Sequence, residues 1–247
     1  MAYSVRSPRF GGFFSSSLPP GVKWLLLINV GIFIPYFLLQ RTSYAQDFWM
    51  LALVPEIVIR HFGLWQLVTY LFLHGSITHI LFNMLALYFF GTPLEQDWGT
   101  RRFLRYYFLC GVGAALCDVF LNALWGHWLV RTIGASGAIY GLLLAFGVLY
   151  PNQTVFMYFL FPLRAKYMVM IVGAIAFLSA AADAGSNVSH IAHLGGMAFG
   201  FAYLKLRFVD LRWIRREYQA WKLQRAKRKF QVYMRKQERS DRDRWVN

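Results

Sequence analysis

The sequence predicts an all-α polytopic membrane protein: a bundle of six helices with an interfacial first loop and a basic cytoplasmic helix at its C-terminal end. Three observations carry this prediction. Of the 247 residues, 57% are hydrophobic and only 15% are charged, a balance too apolar for a water-soluble domain. Six apolar segments stand out, at 24–39, 77–94, 103–125, 134–150, 167–182 and 188–204, several of them short for a hydrocarbon core of ~30 Å. The basic residues also segregate. Arg6, Arg9, Lys23, Arg101, Arg102, Arg105, Arg164, Lys166 and the fifteen Lys and Arg from Lys205 onward fall on one side, and only Arg41, Arg60 and Arg131 on the other. The positive-inside rule makes the first side, with both termini, cytoplasmic.

Taken in order, residues 1–22 read as a cytoplasmic segment, polar up to the first apolar run and without a small-residue cleavage site, so a cleavable signal peptide is not expected. Residues 23–207 read as the membrane core. Between its first two segments, 41–76 is apolar but broken by Asp47, Pro55, Glu56, Arg60 and His61, and is expected to lie in or dip into the outer interface. Cys110 and Cys117 fall seven apart within the third segment and read as small core residues; one helix cannot bridge them. Residues 208–247 read as a basic helix with Leu223, Ala226, Phe230 and Tyr233 along one face, a partner for anionic inner-leaflet lipid. Counted from Lys205, the C-terminal stretch holds fifteen basic and five acidic residues, ten of the +15 net charge. Charge so concentrated is not a nucleic-acid-binding face, and no nucleic-acid partner is expected.

With the N-terminus inside, the second, fourth and sixth segments all run inward from the outer surface. The second opens with His79 and Asn83, the fourth with Ser136, and the sixth with His190 and His193. Three helices thus put hydrogen-bonding side chains into one layer, within about two turns of the outer border. Polar groups are costly there unless paired or wet, so their coincidence marks a functional site. Gly137 and Gly141 on the fourth segment, and Gly196 and Gly200 on the sixth, form small-residue strips that allow close backbone approach. Packing those strips together would bring Ser136 within reach of His193.

A serine beside a neutral imidazole is the machinery of nucleophilic acyl transfer. Ser136 would be the nucleophile and His193 the base. The Ser136 backbone N–H, Asn83 and His79 would be donors to an oxyanion, with Gly134 and Gly137 freeing the backbone beside it. Tyr140, one turn below the serine, is placed to stack on the imidazole. Asp183, ten residues before His193, would lie ~15 Å away on a continuous helix. Asp118 is the other carboxylate considered, and the expected machine is a Ser–His dyad. His190 is the second choice of base. No cluster has metal-ligand spacing, and no metal or cofactor is expected.

The stretches "FLHGSITHILFNM" with His74, His79 and Asn83, "GTPLEQDWG" with Glu95, "GASGAIYG" and "AHLGGMAFG" together resemble the rhomboid intramembrane serine proteases, over residues 64–204. The resemblance implies a six-helix core of the bacterial type in the inner membrane, with no seventh span. It also implies Ser136 as nucleophile, His193 as base, His79 and Asn83 as oxyanion donors, and Tyr140 packed on the base. Substrates would be single-span membrane proteins, cleaved near their outer membrane border and entering past the fifth segment, with 183–188 as a cap. One departure stands out: some members carry a Trp-Arg pair before the second segment, where this chain has Trp65 and Gln66. The alternative readings are a catalytically silent rhomboid-like protein that binds membrane helices, and a transporter. The transporter would need polar residues along a whole path, whereas here they cluster in one layer.

Overall fold

A computed structural model describes residues 18–157, 161–182 and 190–208. The residues up to 17, the expected cap at 183–188 and the basic tail from 209 lie outside the described residues. The chain opens with α1 (Pro20–Leu39), followed in the first loop by the short helices α2 (Ala45–Trp49), α3 (Pro55–Arg60) and α4 (Gln66–Thr69). Helix α5 (Ile77–Ala86) continues through a π turn at Leu87–Gly91 into α6 (Thr92–Trp98). Then come α7 (Thr100–Leu124), α8 (Ser136–Leu149), the strands β1 (Thr154–Met157) and β2 (Phe161–Arg164), α9 (Ala165–Ala182) and α10 (His190–Phe208). The protein is an all-α polytopic membrane bundle.

Among the described residues, four helices are long and apolar enough to cross a membrane: α1, the continuous Ile77–Trp98, α7 and α9. The other two apolar helices fall short for different reasons. With 14 residues, α8 reaches only ~21 Å at ~1.5 Å per residue. In α10, the apolar middle is flanked by His190 and His193 at one end and Lys205 and Arg207 at the other. These two helices are the ones that carry Ser136 and His193.

The hairpin was not expected. Thr154 pairs with Arg164 and Val155 with Leu163, and the base is clipped to α9 by Ala165 N–H donating to the Gln153 carbonyl at 2.8 Å. Half of its strand residues are β-branched or aromatic, which suits a strand, but four-residue strands leave too little periodicity to read.

Buried side chains centre on α7, where Phe103, Tyr106, Tyr107 and Cys110 have no exposed surface, packed with Leu71, Leu87 and Leu142. Both cysteines are free thiols. The start of α1 has no local side-chain cap. Instead the buried Glu95 carboxylate accepts the N–H groups of Gly21 and Val22, each at 2.7 Å, and the Thr100 hydroxyl at 2.7 Å. A carboxylate at a helix N-terminus satisfies orphan donors and complements the dipole.

The first loop is anchored by uncharged groups. Gln66 is fully buried; its carbonyl accepts the Val54 N–H at 3.0 Å and its amide donates to the Met50 carbonyl at 3.1 Å. Trp65 Nε1 donates to the same carbonyl, and the Thr69 hydroxyl to that of Leu51. At the position of the arginine in Trp-Arg members, a neutral amide here fastens the loop.

Candidate active site

Ser136 is the first residue of α8, where backbone N–H groups have no partners within the helix. Two residues earlier, Gly134 has φ +117, a conformation that side-chain-bearing residues rarely adopt, and its N–H donates to the Tyr70 carbonyl at 2.9 Å. Space gives a second reason for glycine. A Cβ at 134 would lie 2.6 Å from His79 Nε2 and 3.8 Å from Asn83 Nδ2. His79 and Asn83 are four apart on α5 and therefore share a face. Both direct nitrogen atoms at the backbone leading into the serine. Ser76 caps this helix by accepting the His79 N–H at 3.2 Å, and the His79 ring meets that of His74 edge-on, with centroids 4.9 Å apart.

His193 lies in the first turn of α10, 8% exposed, and its Nε2 is 2.8 Å from Ser136 Oγ. With the ring proton on Nδ1, the serine hydroxyl donates to Nε2, the arrangement that proton removal requires. His193 Nδ1 has no hydrogen-bond partner among the described residues. Tyr140 stacks on the imidazole, with centroids 4.0 Å apart and planes within 6°, which restricts ring rotation. His190 meets His193 edge-on at 5.9 Å, and it is His193 that faces the serine. Asp118 is directed elsewhere: it accepts the Thr132 hydroxyl at 2.8 Å.

The glycines explain how the two helices come so close. A Cβ at Gly196 would collide with the Gly137 carbonyl oxygen, and one at Gly141 would lie 3.2 Å from the Gly196 carbonyl. At this point α8 and α10 are in backbone contact. The strips do not run the whole length together, however. Gly200 turns to α7, where a Cβ would strike the Tyr106 hydroxyl. That hydroxyl donates to the Gly141 carbonyl at 2.8 Å, so α7 completes the three-helix junction.

Sequence reasoning missed Thr132, Leu53 and Gln66. A buried glutamine in an apolar stretch was the one available signal, since burial demands partners for both ends of its amide.

The fold and site define the class: a helical integral membrane protein in which separate helices bring a serine and a histidine into hydrogen-bond contact. The Rhomboid domain model matches residues 61–209, and the chain belongs to the rhomboid family. It is 35% identical over 152 residues to RHOMBOID-like protein 1 of Arabidopsis thaliana, covering 61% of this chain and 36% of that protein. It is 33% identical over 137 residues to Rhomboid protease GluP of Bacillus subtilis (strain 168), covering 56% and 25%. With Rhomboid-like protease 3 of Toxoplasma gondii, it shares 29% identity over 208 residues, covering 79% and 76%. The chain thus spans about a third of the Arabidopsis protein and a quarter of the Bacillus one.

Proposed function

We propose that the chain is an active intramembrane serine endopeptidase that works by a Ser–His dyad. The observation that carries this reading is the 2.8 Å contact between Ser136 Oγ and His193 Nε2. In the first step, Ser136 Oγ attacks the carbonyl carbon of the scissile peptide bond while its proton passes to His193 Nε2. The tetrahedral oxyanion is held by the Ser136 N–H, His79 and Asn83. His193 then gives the proton to the departing amine as the C–N bond breaks, leaving an acyl ester on Ser136. Water, deprotonated by His193, attacks that ester and releases the new carboxyl group, returning the proton to Ser136. Tyr140 keeps the imidazole plane aligned through both halves.

The substrates in this reading are single-span membrane proteins, cut near their outer membrane border because the site lies close to that surface. Six helices span the membrane, with both termini cytoplasmic and the tail from 208 on anionic inner-leaflet lipid. The location is a bacterial inner membrane. Entry past α9 is supported by its exposure: Met170, Ile175, Phe177 and Leu178 are all exposed.

The experiment is cleavage of a single-span model substrate in proteoliposomes. Ser136→Ala removes one hydroxyl, so it is expected to abolish cleavage while expression and the thermal transition stay near those of the unchanged protein. Cleavage that survives in Ser136→Ala would remove Ser136 as nucleophile. Binding of substrate without cleavage by the unchanged protein would establish the helix-binding alternative.

A further inference from the structure

Asp118 is a buried carboxylate outside the proposed chemistry, and its bonds lead to the serine. It has no exposed surface on α7. Its Oδ2 accepts the Thr132 hydroxyl at 2.8 Å, and its Oδ1 accepts the Asn122 amide at 3.1 Å. Thr132 lies four residues before Ser136 and is also engaged through its backbone. Its N–H donates to the Leu53 carbonyl and its carbonyl accepts the Leu53 N–H, both at 2.9 Å, an isolated antiparallel bridge to the first loop. Two residues on, Gly134 is tied to the Tyr70 carbonyl, and the Tyr70 hydroxyl donates to the Gly111 carbonyl on α7 at 2.8 Å.

The run 132–134 is therefore held by α7, by the first loop and by the turn that follows α4. Leu53 is itself held in place, because the neighbouring Val54 N–H is bonded to Gln66. We propose that Asp118, acting through the Thr132 hydroxyl, is a positioning residue that sets the Gly134–Ser136 turn against His79 and Asn83. The bond is buried, so little water competes for either partner. It adds to the backbone ties of 132–134 a side-chain anchor on a 25-residue helix. The tolerance is small: the Cβ position at Gly134 is already 2.6 Å from His79 Nε2. A displacement of ~1 Å at a reacting group can cost ~10²-fold in rate.

This inference rests on Ser136 being the nucleophile, and the test separates the two. Full-length protein in detergent is titrated with a fluorophosphonate to count active serines. Then kcat per titrated serine and KM are measured on a fluorogenic single-span substrate. Thr132→Val keeps the shape and removes the donor, and is expected to lower kcat per serine about 10-fold, with KM within about twofold. Thr132→Ser, which restores the donor, is expected to recover most of that loss. A Thr132→Val protein with unchanged kcat per titrated serine would overturn the proposal, because the bond would then matter only to folding; so would a Thr132→Ser protein as slow as Thr132→Val. Should Thr132→Val yield no folded protein, Asp118→Leu, close in size and without an acceptor, decides by the same two numbers. A wild-type protein with no titratable serine would refute the dyad itself, and the positioning role with it.

Discussion

Helices α8 and α9 follow one another in sequence, yet they are packed in opposite ways. From Gly137 to Gly147, α8 buries most of its residues, including Leu142 and Phe146, and it meets α10 at backbone distance. In α9, Ala165, Met168 and Val169 are buried near the hairpin end, and beyond them only Ala176. A tight approach between the two helices is also at that end, where a Cβ at Gly147 would lie 2.6 Å from Val169 Cγ2. The lesson is a division of labour. The helix bearing the serine is packed along most of its length, Val148 being its exposed residue, as the proposed dyad requires of a donor and acceptor held in contact. Its neighbour is buried near the hairpin end and presents an apolar surface beyond it, as the proposed entry of substrates past it would need.

Disrupting the immobilised side should have the largest effect. Gly196→Val puts a branched side chain where the Gly137 carbonyl stands, and neither backbone can yield cheaply. Overpacking of this kind typically costs about 1–3 kcal/mol, and here it is expected also to part Ser136 from His193. Substrate turnover is expected to fall by ~10²-fold or more, with a lower thermal midpoint in the same preparation.

Asn83→Ala refines the contrast by leaving the helix junction intact and removing one proposed oxyanion donor. Turnover should fall by about 10²-fold without vanishing, while the fraction of Ser136 that a fluorophosphonate labels at saturation stays the same. An unchanged rate would take Asn83 out of the oxyanion site. Tyr140 is the next step down. Tyr140→Ala loses the stack on His193 and is expected to cost about 10-fold in kcat, whereas Tyr140→Phe retains a ring and should stay within about threefold.

The smallest effect belongs to the open side. Phe177 on α9 is 63% exposed, and Phe177→Ala should change stability by less than about 0.5 kcal/mol. A substantially larger loss, measured by thermal unfolding in the same detergent, would mean that this face of α9 is packed and the contrast with α8 is false.

The helices were legible because hydropathy is a long-range average, and a few misplaced residues at each end do not disturb it. The contact between Ser136 and His193 was legible for a related reason: in a chain so apolar, polar side chains at equal depth in three helices have little to do but meet. The strips at Gly137 and Gly196 told that helices would touch. They could not tell which, and so the turn of Gly200 toward Tyr106 of α7 was invisible. The ties of Thr132 to Leu53 and Asp118 were hidden as well. The first pairs backbone across about eighty residues, in stretches whose composition announces neither strand nor helix, and nothing local selects Leu53 over its neighbours; the second joins two side chains fourteen residues apart. Gln66 shows the same limit, since its two partners at Met50 and Val54 are backbone groups that every residue possesses.

Whether His193 activates Ser136 is decided by intact-protein mass after treating the detergent-solubilised chain with a fluorophosphonate, alongside Ser136→Ala and His193→Ala. A single adduct on the unchanged protein that disappears in both variants is the expected result. No adduct on the unchanged protein, under conditions that fully label an active serine protease, would refute the activation, as would an adduct that persists in Ser136→Ala.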